Sequence, residues 1–403
     1  MSVDGLLKMN YRRLILCLLL CCLPMLIVTG QDVTPTPPVS IFATNPPTPN
    51  PALNTTAYQR VVVYAGPGTT FQQVAPLNAG VPAVIVERNA TGTWVRLQRF
   101  DQGNVVMDGW VISAYLNLDP ALDFGIVPVN TSLADADPIN EPSESLQRLL
   151  AVPVIPQIDP AMTVVVQQGV ALGNDLHGVT KVGDSTVANE QYLQPLGADQ
   201  IELGAYRYLL PTVDWFRNSA AQSSVAARVG LTTLVIFDPF WADKSVCQPN
   251  ETPLVCEYRL KRPSVALIMF GGNDVMHVDE VTFAGQLRRI VDESLAAGVI
   301  PVLFTFSYSP QAELWPQAVN LNLAVTEVAA EKRVPVVNLW LAARILPDYG
   351  LDVDQIHLKN SGFGFIKFTG GNEAFYGVTL QNLLALSVLD EVRQFMLGVE
   401  SAS

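Results

Sequence analysis

Three short segments carry side chains able to do chemistry: Gly183-Asp184-Ser185, Gly271-Gly272-Asn273-Asp274 and Asp354-Gln355-Ile356-His357. A serine hydroxyl is a poor nucleophile near neutral pH until a base takes its proton, and imidazole, which titrates near neutrality, is the usual base. The chain has 3 His, so each can be weighed. His177 precedes the first segment, with Asp175 two residues before it. His277 closely follows the second. Both read as hydrogen-bonded surface or core residues. His357 has Asp354 three residues before it. A carboxylate that near can accept the Nδ1 proton and leave Nε2 facing a hydroxyl. Ser185, His357 and Asp354 are therefore the expected nucleophile, base and orienting acid. The oxyanion of acyl attack needs preformed donors. The Ser185 amide, at a strand-to-helix turn, and the Asn273 side chain suit that role, and Gly271 and Gly272 let the backbone pass close to a substrate.

Other chemistries find no pattern. The sequence has no HExxH, no CxxC and no GxxxxGK[ST], which leaves no expected metal or cofactor. GFGF near residue 362 lacks dinucleotide spacing. No Ser has Gly at both flanking second positions, so the GxSxG elbow is absent.

These segments must be held by something, and the surrounding pattern says what. From about residue 146, apolar β-branched runs alternate with helical stretches. VTKVG (179–183), TTLVIF (232–237), SVALIMF (264–270), VIPVLFTF (299–306) and VPVVNLW (334–340) read as strands, with helices over 279–297 and 314–332. This alternation predicts a parallel sheet with helices on both faces, whose site lies in loops beyond the carboxyl ends of the strands.

Residues from about 160 to 395 thus resemble the SGNH (GDSL-type) hydrolase superfamily. Gly183, Asp184 and Ser185 match its first block, Gly271, Asn273 and Asp274 its third, and Asp354 and His357 its fifth. The resemblance implies a three-layer α/β/α flavodoxin-like fold, an acyl-enzyme, and a further oxyanion donor from a second-block Gly. Gly230 is the best match for that Gly, with Gly204 its competitor.

The remainder divides by composition. Residues 1–30 read as an export signal, with Lys8, Arg12 and Arg13 before an apolar run from Leu14 to Val28, and an uncleaved anchor as the alternative. Residues 31–56 are a Pro/Thr-rich linker. Residues 57–118 read as a small all-β unit. They resemble bacterial SH3-like barrels in Gly66-Pro67-Gly68-Thr69, Trp94, Gly109-Trp110-Val111 and Tyr115-Leu116, with Tyr64 where that family often has Arg. That resemblance implies a cell-wall peptide or glycan as partner. Residues 119–145 read as a second linker, and 146–400 as the hydrolase domain. Of 5 Cys, only Cys247 and Cys256 lie beyond the signal. An oxidising compartment would let them pair, adding roughly 2–3 kcal/mol in the chain-entropy model. The alternative is two free thiols. A net charge of -13 argues against nucleic acid as a partner, and 49% hydrophobic residues allow a large core.

The combined expectation is a secreted or cell-surface serine esterase acting on acyl, foremost acetyl, esters of cell-wall or other polysaccharides. A secreted lipase or general esterase, a glycan O-acyltransferase, and a non-catalytic wall-binding protein are the alternatives.

Overall fold

The computed structural model describes residues 53–133 and 144–402. The expected export signal and nearly all of the first linker lie outside them.

The hydrolase sheet is built from runs that are apolar on both faces. β8 (Asp175–Gly183), β10 (Pro263–Met269), β11 (Ile300–Phe304) and β12 (Val336–Val337) pair in parallel, in the order β12-β11-β10-β8. All seven residues of β10 are buried, as a strand covered on both faces requires. Beyond β8 the sheet gains one more rung: Gly183 donates to the Ala226 carbonyl (3.0 Å) and accepts from the Arg228 amide (3.1 Å). With this short edge the spatial order is that of a doubly wound sheet, whose crevice opens beside β8.

Helices α1 (Glu144–Leu150), α2 (Met162–Leu172), α3 (Leu210–Ala220), α4 (Pro253–Lys261), α5 (Glu280–Ala296), α6 (Trp315–Lys332), α7 (Leu339–Ala343) and α8 (Gly377–Ala402) complete this part. α5 packs along α6, while α2 and α3 pack on α8, so two helix groups sandwich the sheet. Asp279 caps α5 by accepting from the Thr282 amide (2.9 Å), and Gly298 follows at φ +67°. A two-stranded pair of β9 (Ile201–Glu202) and β13 (Ile366–Lys367) lies apart from this sheet.

Two expected strands come out differently. TTLVIF is no strand: it turns and forms a 3-10 helix at Val235–Phe237. The Thr233 amide, which a ladder would need, donates to the Asp274 carboxylate (2.9 Å), and the edge of the sheet is filled by 226–228 instead. VPVVNLW is strand only at Val336–Val337. The Asn338 side chain accepts from the Leu341 amide (3.1 Å) and starts α7.

The β unit comprises β1 (Asn54–Ala57), β2 (Val61–Tyr64), β3 (Gln73–Leu77), β4 (Ala83–Arg88), β5 (Trp94–Asp101), β6 (Asn104–Ile112) and β7 (Leu116–Asn117), all antiparallel. Part of the stretch expected as a second linker folds back onto it. The Arg88 amide donates to the Pro128 carbonyl (2.9 Å), and the Asn130 amide to the Arg88 carbonyl (2.8 Å). The unit also docks on the hydrolase: Tyr115 Oη donates to the Leu341 carbonyl (2.9 Å) and Gln59 Nε2 to the Ala342 carbonyl (3.2 Å).

Candidate active site

The first loop leaves β8 through Gly183, where a side chain is sterically impossible: a Cβ there would lie 2.2 Å from the Met269 carbonyl oxygen on β10. This close approach bends the chain so that Ser185 is half-buried while Asp184 and Thr186 turn inward. The third loop, after α7, is shaped by Asp354. Its Oδ1 accepts from the Ile356 and His357 amides (both 3.0 Å), with Gln355 between them in the left-handed region (φ +59°). That turn points the imidazole back at the same carboxylate. His357 Nδ1 lies 2.6 Å from Asp354 Oδ2, and His357 Nε2 lies 2.8 Å from Ser185 Oγ. Burial pushes the Asp354 carboxyl up, but the three hydrogen bonds from His357 and Ile356 outweigh it and hold the pKa down to about 2. The carboxylate therefore stays ionised beside the imidazole across the neutral range.

The second loop ends β10. A Cβ on Gly271 would sit 2.0 Å from the Phe306 ring, so only glycine lets the loop cross there. The motif residue Asp274 is fully buried. It accepts from the Thr233 amide (2.9 Å), Thr233 Oγ1 (2.6 Å) and the Gly271 amide (3.2 Å). This carboxylate ties the Gly230 turn to the Asn273 loop. Asn273 Nδ2 also reaches the Leu231 carbonyl (3.5 Å), immediately after Gly230. Gly230, at φ +79°, and Asn273 are thus joined through Leu231, while Gly204 opens a separate short helix against Thr369. Asp184 is buried too, accepting from the Thr186 amide (2.9 Å). Burial, reinforced by the charge of Asp274, pushes its carboxyl up to about 6. Of the other histidines, His177 stacks on Trp215 (4.0 Å between centroids), and His277 is exposed, its amide bonded to the Asp274 carbonyl.

Two contributors give no signal in the sequence. Thr233 matters only because Asp274 lies beneath it. Glu257, a single acid within α4, is fully buried. It accepts from Thr180 Oγ1 and from the Val225 amide (2.8 Å), pinning the segment that leads to Gly230. Beside it the Cys247 and Cys256 sulfurs are bonded, and Val225 packs on that bridge.

A hydroxyl, an imidazole and a carboxylate stand in series at the carboxyl edge of a three-layer α/β/α sheet, an arrangement that serine-type hydrolases use. Residues 182–363 match the profile of the GDSL-like Lipase/Acylhydrolase family, and the match supports an ester-cleaving hydrolase. Similar solved structures include the lipase/acylhydrolase from Enterococcus faecalis, with 20% identity over 54% of this chain and 95% of that one, at a TM-score of 0.34. Another is an acetylxylan esterase from Geobacillus stearothermophilus, with 17% identity over 53% and 93%, at a TM-score of 0.35. No curated protein matches the chain.

Proposed function

We propose that the protein is an exported serine esterase that hydrolyses acyl esters, foremost acetyl esters on polysaccharides, through an acyl-enzyme. The observation that carries the reading is the unbroken series Ser185 Oγ, His357 and Asp354, with contacts of 2.8 and 2.6 Å. His357 Nε2 takes the hydroxyl proton as Ser185 Oγ attacks the ester carbonyl carbon. Asp354 holds the Nδ1 proton and stabilises the imidazolium. The oxyanion is met by the Ser185 and Gly230 amides and by Asn273. The imidazolium returns its proton to the leaving alkoxide, and His357 then deprotonates the water that hydrolyses the acyl-enzyme. Export is supported by the Cys247–Cys256 bridge, since such bonds persist in oxidising compartments.

The test is Ser185→Ala, assayed with 4-nitrophenyl acetate. Turnover falls by at least about 10³-fold with the far-ultraviolet circular dichroism unchanged. Undiminished hydrolysis overturns the assignment.

One observation favours a longer acyl group. Two residues next to the site stand out to solvent: Val229, beside Gly230, at 77% exposure and Val353, beside Asp354, at 95%. Exposed apolar groups gathered at a site mark it for apolar ligands. On the lipase reading, kcat/KM rises with acyl length across 4-nitrophenyl esters; on the acetyl esterase reading it falls after the shortest.

A further inference from the structure

A cleft of about 460 Å³ lies between the β unit and the hydrolase, within the range of ligand pockets. Trp94 and Tyr64 wall one side, with Tyr64 edge-on to Trp94 at 5.9 Å. Arg344 and Tyr349 wall the other, with the guanidinium 4.8 Å from the Tyr349 ring centroid. Gln73 and Gln311 stand exposed at the rim, one from each side. In a chain of net charge -13, no carboxylate lines this cleft, and Arg344 is its one charged residue among those described. Its hydrolase wall is tied to the site's loops through the chain and one hydrogen bond. Gln311 lies on the loop after β11 whose Ser307 lines the recess beside Asp184, Gly272 and Ile356. Ser307 Oγ also donates to the Tyr349 carbonyl (2.7 Å), and Tyr349 stands five residues before Asp354.

We propose that this cleft binds the backbone of a neutral or anionic polysaccharide and so presents its acyl substituents to Ser185; the presentation, though not the binding, rests on the esterase reading above. Sugar rings offer flat C–H faces to aromatic walls and hydroxyls at their edges to amides and a guanidinium. Both kinds of group line this cleft, among aliphatic residues. A fatty chain would match a continuous apolar wall, and a basic peptide would need the carboxylates that are missing. The β unit, on this view, completes a substrate-binding site that neither part holds alone.

The experiment uses the full chain with Ser185→Ala, titrated calorimetrically with two glycan probes, acetylated xylo-oligosaccharide and O-acetylated peptidoglycan strands. At least one binds. Tyr64→Ala weakens that binding by about 10-fold, and Gln311→Ala, at an exposed position where the fold is undisturbed, by a few-fold. In the active protein the same changes raise KM for that glycan and leave kcat/KM for 4-nitrophenyl acetate unaltered. Failure of the parent to bind either glycan overturns the proposal, as does unchanged affinity in both variants. Glycan binding that depends on Tyr64 and Gln311, in a protein that hydrolyses no ester, supports the cleft and sinks only the esterase reading.

Discussion

The two oxygens of Asp354 have separate duties. Oδ1 builds the turn through two backbone amides, and Oδ2 meets the imidazole. Asp354→Asn keeps an acceptor for the turn and removes the charge that selects the imidazole tautomer, so kcat falls by about 10³–10⁴-fold while the melting temperature changes little. Equal losses of activity and stability would show the residue to be merely structural. Asp184 gives a pH signature of opposite sign from that of a paired acid. Its folded pKa, about 6, lies above the ordinary 3.8, so the folded state holds its proton more tightly than the unfolded chain. Stability therefore declines as pH rises from about 4 to 6, by on the order of 3 kcal/mol in all, and the penalty persists above that. Asp184→Asn removes the penalty. Its melting temperature should exceed that of the unaltered protein at pH 7.5 and match it near pH 3.5, and identical pH profiles of the two would refute this. The Asp-x-x-His pair was legible from sequence because its geometry is local: three residues suffice to close the turn. Glu257 and Thr233 were not, because their partners lie 32 and 41 residues away and only the fold joins them.

Among the elements, position in the sheet decided what the sequence could tell. β10 and β11 announced themselves because continuous apolar runs are what doubly covered strands need. At the edges the same signal misled. TTLVIF has strand-like composition, yet its threonine serves Asp274, and a less apolar segment takes the edge of the sheet. Asp274 is the element-scale device of this site, since it fixes one loop relative to another. Asp274→Ala unties the Gly230 turn from the Asn273 loop and, on the proposed mechanism, displaces donors that act only on the developing oxyanion. The expected result is a loss of about 10²-fold in kcat with little change in KM. A rise in KM with kcat intact would place the effect on substrate binding instead. The Cys247–Cys256 bridge closes a short loop next to Val225, and replacing both cysteines by serine costs roughly 2–3 kcal/mol of stability by denaturant unfolding. No loss at all would mean that the unfolded chain is already constrained there.

At the scale of the molecule, composition separated a β unit from an α/β part, and the structure joins them. The joining was illegible because it depends on single polar contacts between residues 226 and 283 positions apart, which only the fold brings together. Tyr115 and Gln59 donate to the carbonyls of Leu341 and Ala342 on α7, while Val154, in the loop after α1, donates to the Ala114 carbonyl of the β unit (2.9 Å). Leu341, Ala342 and Ala343 are fully buried, and α7 also packs on α8. Removing the β unit would expose these apolar residues to water, at roughly 25 cal/mol for each Å² of apolar surface. The two parts should therefore unfold together. Heating should give one calorimetric transition, with esterase activity and β-unit structure lost at the same temperature. Tyr115→Phe should lower that single transition by a few degrees, given about 1 kcal/mol for a lost buried hydrogen bond. A chain beginning at residue 144 should melt far below the whole protein. Two separate transitions, with activity surviving the first, would show that the β unit is an independent appendage, and the docking contacts would then carry no energy of consequence.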